Sequence, residues 1–179
     1  MNSLRLFVAA YPPTDVVSLL MGHASGLLPR DAKPTTPDQL HLTLLFLGNV
    51  RASDVAAVSE SIDRAASGRV SCELVLHGVG CLPEVGEPRL LAALGDANGN
   101  LLELQRRLAS RLSTVRPRAS RDKFTPHLTL ARFQPGTART GMASIEPVRW
   151  AVQAVRLMRS DLRPSGAVHT LVHEASLDG

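Results

Sequence analysis

His41-Leu42-Thr43-Leu44-Leu45-Phe46-Leu47-Gly48 decides how the rest of the chain is read, because its first four residues return as His127-Leu128-Thr129-Leu130. The 179 residues hold six histidines and ten threonines, and two of each fall in identical strings 86 positions apart. Both strings lie in leucine-rich runs with no helical period, which reads as strand. Side chains at i and i+2 of a strand share a face. Each copy therefore sets one imidazole beside one hydroxyl on a rigid element. Two copies facing each other would make a site with two titratable rings and two neutral donors.

Outward from the first string, Leu4 to Ala10 is apolar apart from Arg5 and reads as a buried strand. Pro12-Pro13-Thr14-Asp15 starts a helix, because proline ends the strand and suits a first turn. Residues 29–39 hold three prolines and read as a loop. Gly48-Asn49 ends the strand of the first string, and Ser53 is placed to cap a helix running to about Ala66. A strand is expected over 70–76, loop over 78–86, a strand over 89–94 closed by Gly95-Asp96, and a helix from Asn98 or Asn100 to about Leu112. After the second string, 134–147 reads as loop plus a short helix. Trp150 to Met158 and Ala167 to Ala175 read as a hairpin across Arg163-Pro164-Ser165-Gly166.

The pair of strings resembles the signature of the 2H phosphoesterase family, in its branch of RNA 2′,3′-cyclic phosphodiesterases, also called 2′-5′ RNA ligases. Arg5-Leu6-Phe7-Val8-Ala9 is similar to that family's opening strand. HLTLLFLG and Phe124-Thr125-Pro126-His127-Leu128-Thr129-Leu130-Ala131-Arg132 are similar to its two signatures, and Ser160, Leu162 and Gly166 to its closing hairpin. The resemblance implies an α+β fold over residues 1–179: one domain, bilobal, with two pseudo-symmetric lobes of antiparallel sheet and flanking helices around a central cleft. It also implies hydrolysis of RNA 2′,3′-cyclic phosphate ends to 2′-phosphomonoesters, without a metal or cofactor, and reversible 2′-5′ ligation. Two departures bear on base stacking and substrate preference: the 29–39 loop lacks the family's tryptophan, and His169 stands where the closing hairpin often has tyrosine.

Opening a cyclic phosphodiester needs a base for water, an acid for the departing oxygen, and donors for the phosphoryl oxygens. Histidine, with an unperturbed pKa near 6.5, can supply both proton roles at cellular pH. The resemblance implies His41 and His127 in those roles, with Thr43 and Thr129 as phosphate donors. We assign His41 as general acid on the leaving oxygen and His127 as general base on water; the residues fit the swapped assignment equally. Arg132, Lys123 and Phe7 are candidate RNA contacts. Strand parity turns Arg132 away from His127 into a structural ion pair, unless the strand ends or bulges. Parity likewise sends Phe46 to the core. Phe7 and Phe124 can stack a base or pack. His23, His77, His169 and His173 have bland readings, the last two on one strand face.

Eighteen of the 20 basic residues are arginines, and the net charge is +4. Arginine's planar fork suits phosphate, and a GC-rich genome gives the same bias. Residues 111–123 carry Arg111, Arg116, Arg118, Arg121 and Lys123, either a solvated loop or a rim for an RNA backbone. Cys72 and Cys81 lack companions at ligand spacing and read as reduced thiols of a cytoplasmic protein. No stretch reaches the length of a membrane span. The partner expected is RNA with 2′,3′-cyclic phosphate ends, and the chain is expected to act as a monomer. A zinc or iron site lacks a third ligand at sensible spacing. A non-catalytic RNA-binding module is poorly served by 3% aromatics. A phosphodiesterase for a small cyclic nucleotide or ADP-ribose cyclic phosphate stays open.

Overall fold

A computed structural model describes residues 2–30, 32–68, 72–115, 124–164 and 166–177. Of the expected basic rim, Arg116, Arg118, Arg121 and the candidate RNA contact Lys123 lie outside the described residues. The fold is α+β. In chain order it runs β1 (Ser3–Ala10), α1 (Thr14–Ser25), the two-residue β2 (Lys33–Pro34), β3 (Leu42–Arg51), α2 (Val55–Ala66), β4 (Cys72–Leu82), β5 (Leu90–Ala97), α3 (Gly99–Arg111), β6 (His127–Arg132), β7 (Ala143–Val152), β8 (Ala154–Arg163) and β9 (Gly166–Ser176).

The strand pairings are antiparallel, in the order β7-β4-β5-β6-β3-β1-β8-β9, with β2 beside β6. This order divides into two quartets, β3-β1-β8-β9 and β6-β5-β4-β7. Each has an HLTL strand at its inner edge, and the two edges meet through one pair, Leu42 with Leu128. The quartets are not the two halves of the chain. The first takes its outer hairpin, β8–β9, from the C-terminal end, because β1 offers its free edge to β8. The second is continuous from β4 to β7.

The helices cover one face. α2 packs on α3, β8 and β9; α3 packs on β3, β4 and β5; α1 crosses to β6 and β7. Between them and the sheet lies the main core, which includes Leu42, Leu44, Leu128 and Leu130 at 0–2% exposure. Burying each such leucine stabilises the fold by about 1.5–3 kcal/mol, so the even positions of both HLTL strings anchor the inner edges. Asn98 caps α3 as expected, its side chain accepting from the Leu101 amide at 2.9 Å.

Several expected boundaries move, each for a local reason. β3 runs on to Arg51 because Leu47 bulges out of register and Gly48 turns the chain at φ 74°, a left-handed angle that glycine adopts freely. β4 continues to Leu82 past a bulge at His77. Ser53 does not cap α2; its hydroxyl and the Arg51 guanidinium both donate to Asp54, and the chain makes a short 3-10 turn before Val55. The strand expected over 150–158 is two strands broken at Gln153, one in each quartet. Among the described residues no helix is long and apolar enough to cross a membrane. Cys72 and Cys81 are buried thiols, not joined in a disulfide.

Candidate active site

The Leu42–Leu128 pair fixes the geometry of the two motifs. Both leucines are fully buried on the helix side, so their strand neighbours His41, Thr43, His127 and Thr129 project to the open face. All four are half-buried. Antiparallel register around that single bridge sets His41 across from Thr129 and Thr43 across from His127. The local two-fold axis therefore passes between the leucines, and each histidine lies across the strand pair from the other motif's threonine.

Both rings are held alike. His41 Nδ1 donates to the Gln39 carbonyl at 2.6 Å, and His127 Nδ1 donates to the Thr125 carbonyl at 2.8 Å, in each case two residues upstream. A ring whose Nδ1 carries the proton leaves Nε2 to exchange one with a ligand. Beyond this shared device the two sites differ. Burial lowers the pKa of His41 to about 4; its bond to the Gln39 carbonyl opposes this, and the charges of His169, Arg132 and His127 add to the lowering. In the free protein His41 is therefore neutral at pH 7.

An aromatic nest surrounds His41. Its ring lies 5.1 Å from Phe7 and stacks on Tyr11 at 5.3 Å, and His169 meets it edge-on at 5.3 Å. Small Ala9, between Phe7 and Tyr11 on the same strand face, makes room for it. Burial pushes the Tyr11 hydroxyl up to about 12, Arg156 working against it and Asp38 with it, so the phenol keeps its proton. Its oxygen lies 3.3 Å from His169 Nδ1. Burial and Arg132 lower the pKa of His169, with Asp38 opposing. This suits a phenol donating to an unprotonated ring nitrogen. Gln39 ties the nest to the closing hairpin by donating to the Ala167 carbonyl at 2.6 Å.

Three sequence expectations fail here, all through β-bulges that break strict alternation. In β6 the partners step from Ala92–Thr129 to Leu91–Ala131, leaving Leu130 as the extra residue. Leu130 and Ala131 are both buried, and Arg132 returns to the face of His127 and Thr129. It lines a cavity of about 250 Å³ with His41, Thr129, Lys33, Gln39 and His169, and makes no ion pair among the described residues. In β3 the same step occurs at Leu44, so Phe46 is not core. It stands 37% exposed opposite Phe7 on the face of His41, with the Arg5 guanidinium 5.0 Å above its ring. In β9 a bulge at Val172 separates His169 from His173. His173 faces α2, where it meets Asp63 at 2.6 Å.

Phe7, a candidate RNA contact, takes the packing alternative: at 3% exposure it is the floor beneath His41 and His169 and offers no free face. Phe124 packs against the main core. Tyr11, Gln39 and Lys33 join the site without having been singled out. The signal for His169 was its place in the closing hairpin, where the resembled family carries another ring. Among the described residues no group of three or more His, Cys, Asp or Glu is placed to hold a metal ion.

Comparison with known proteins agrees with this fold. The family model described as the 2′-5′ RNA ligase superfamily matches residues 30–164. A Thermus thermophilus protein named RNA 2′,3′-cyclic phosphodiesterase is 34% identical, over 98% of this chain and 91% of its own. One of the same name from Thermotoga maritima is 25% identical, over 93% and 88%. The crystal structure of a Thermus thermophilus protein superimposes with a TM-score of 0.87 at 31% identity, covering 97% of this chain and 98% of that one. E. coli LigT, solved in complex with phosphate, gives 0.76 at 25% identity over the full length of both chains. With a family match across most of its length and both His-x-Thr strands in one cleft, this chain belongs to the 2′-5′ RNA ligase superfamily.

Proposed function

We propose that the protein hydrolyses 2′,3′-cyclic phosphate ends of RNA to 2′-phosphomonoesters by acid–base catalysis that needs no metal. The observation that carries this reading is the crossed arrangement of two imidazole–hydroxyl pairs, each ring held through Nδ1, about a local two-fold axis. The relatives named RNA 2′,3′-cyclic phosphodiesterase support the substrate class.

In this reaction His127 takes a proton from water as the water oxygen bonds to phosphorus. The bond from phosphorus to O3′ breaks, and His41 gives that oxygen its proton. Thr43 and Thr129 donate to the non-bridging oxygens, holding charge that grows in the transition state. Arg132 contributes a planar fork on the same face. The environment of His41 fits a donor brought into play by substrate. The anionic diester beside the ring favours its protonated form, and burial makes that protonated ring a stronger acid than one in water. The exposed ring of Phe46 offers a stacking face for the terminal base. Run in reverse, with a 5′-hydroxyl in place of water, the same groups would form a 2′-5′ linkage. Because both motifs come from one chain, the site is complete in a monomer, and a cytoplasmic setting suits two cysteines that form no disulfide.

Incubating an oligonucleotide that ends in a 2′,3′-cyclic phosphate, with EDTA present, tests the reading. The expected product is the 2′-phosphomonoester, formed at an undiminished rate. His41→Ala and His127→Ala should each lose roughly 10²–10⁴ in rate while still binding RNA. A 3′-phosphate product, or turnover that EDTA abolishes, would remove the assignment. A mere binding module would keep its affinity in both variants and turn over nothing.

A further inference from the structure

We propose that His169 is a substrate-binding donor: with Nδ1 taken by the Tyr11 hydroxyl, its Nε2–H serves the cavity beside His41 and meets an oxygen of the substrate's ribose phosphate there. Tyr11 is the residue that positions it. This deepens the hydrolase reading above and rests on it.

The ring of His169 is fixed from several directions. It packs edge to face against Phe7 at 4.8 Å between centroids and against His41 at 5.3 Å. The Tyr11 oxygen lies 3.3 Å from its Nδ1. The strand that carries it is tied down two residues earlier, where Gln39 Nε2 donates to the Ala167 carbonyl at 2.6 Å. Gln39 is also the residue whose own carbonyl accepts from His41 Nδ1. One glutamine therefore holds both rings in their relative place.

The direction of the Tyr11–His169 bond sets what the ring can do. A phenol has one proton to give, and His169 Nδ1 is the hydrogen-bond partner of Tyr11 among the described residues. Burial raises the pKa of the phenol to about 12, so that proton stays on oxygen and is there to donate. Nδ1 then accepts, and a neutral imidazole that accepts at Nδ1 carries its own proton at Nε2. Nε2 makes no hydrogen bond among the described residues, and His169 lines the 250 Å³ cavity together with His41, Thr129 and Arg132. An oxygen of a ligand in that cavity is the partner the ring lacks. A neutral donor suits this place better than a cation. His41 must be protonated to act as the acid in the proposed reaction, and a second positive ring 5.3 Å away would oppose that. Burial and the Arg132 charge, with Asp38 opposing, lower the pKa of His169 and keep it neutral at pH 7.

Kinetics on the full chain with a nucleoside 2′,3′-cyclic phosphate, together with nitrogen-15 NMR of the histidine rings, test this. The His169 signals, assigned by their loss in His169→Gln, should show the Nε2–H tautomer; the Nδ1–H tautomer overturns the proposal. His169→Phe keeps a ring against Phe7 and His41 and removes the donor. It should lower kcat/KM roughly tenfold, mostly through KM, as a contact made equally in the bound substrate and the transition state does. His169→Gln, whose amide nitrogen can stand near the Nε2 position, should recover most of that loss. Tyr11→Phe keeps the ring that stacks on His41 and removes the phenol proton. It should cost about threefold in the otherwise wild-type chain and nothing further beside His169→Phe, because its effect passes through His169. If His169→Phe does not fold, His169→Asn replaces it, since the shorter amide does not reach the Nε2 position. A kcat/KM unchanged by loss of the donor, or equal losses from Tyr11→Phe in both backgrounds, overturns the donor role while hydrolysis stands. No hydrolysis by the wild type removes the hydrolase reading itself, and the donor role with it.

Discussion

The two motif histidines share a backbone anchor and differ in surroundings, and that difference can be measured. His41 is buried among Phe7, Tyr11 and His169, and its pKa is lowered to about 4 from 6.5. Unfolding restores the ordinary value, so between those two pH values the unfolded chain binds more protons than the folded one. Stability contributed by the neutral ring is then present above about pH 6.5 and lost as pH falls toward 4. At about 1.4 kcal/mol per unit the loss is on the order of 3 kcal/mol. His41→Asn keeps an amide donor for the Gln39 carbonyl and removes the titration. Its urea midpoint should decline less between pH 7 and pH 4.5 than that of the wild type; equal declines would show that His41 is not the proton acceptor. Which ring is the acid calls for a different probe, because a pH profile is the same for either assignment. A cyclic substrate with sulfur in place of the 3′ oxygen has a leaving group that needs no proton. It should restore turnover to His41→Ala and leave His127→Ala inactive; the reverse pattern assigns the roles the other way.

At the scale of a strand, one local irregularity separates what the sequence showed from what it concealed. Strict alternation correctly placed His41, Thr43, His127 and Thr129 on one face, because each pair sits within three residues and no bulge intervenes. Beyond the hydroxyl both motif strands bulge, at Leu44 and at Leu130, and parity inverts. A bulge depends on the partner strand, here β1 and β5, and two adjacent apolar residues do not announce it. Arg132, Phe46 and the separation of His169 from His173 were hidden for that one reason. The break at Gln153 was hidden because both strands it separates are apolar and alternating. The inverted parity makes a prediction for Arg132. An ion-paired structural arginine would cost stability when replaced, whereas one turned into the cleft would cost binding. Arg132→Gln should shift the unfolding free energy by less than about 0.5 kcal/mol, as surface changes do. It should raise KM for a cyclic-phosphate oligonucleotide by roughly tenfold or more. Stability loss with KM unchanged would return Arg132 to a structural role.

The whole molecule is two quartets whose sheet path narrows to one residue pair, yet whose core does not. Leu42 and Leu128 join the strands, while the buried cluster runs without interruption from Leu6 and Val155 in one quartet to Leu74 and Trp150 in the other. The helices reinforce this. α1 leaves the first quartet and packs on β6 and β7 of the second, and α3 lies across β3, β4 and β5. The chain is interleaved as well, since β8 and β9 return to β1 after the second quartet is complete. If the two motif histidines act on one phosphate from opposite quartets, as proposed above, those edges must be held in fixed register, because a displacement of about 1 Å can cost a hundredfold in rate. Shared apolar burial achieves that more firmly than one bridge could, and it should couple the quartets in unfolding. The chain has a single tryptophan, Trp150 on β7, 3% exposed in the second quartet, so its fluorescence reports that quartet alone, whereas far-ultraviolet dichroism reports both. In urea the two signals should trace one transition with the same midpoint and slope. If the fluorescence change precedes or follows the dichroism, the quartets open separately and the register of the two histidines rests on the Leu42–Leu128 edge rather than on the common core.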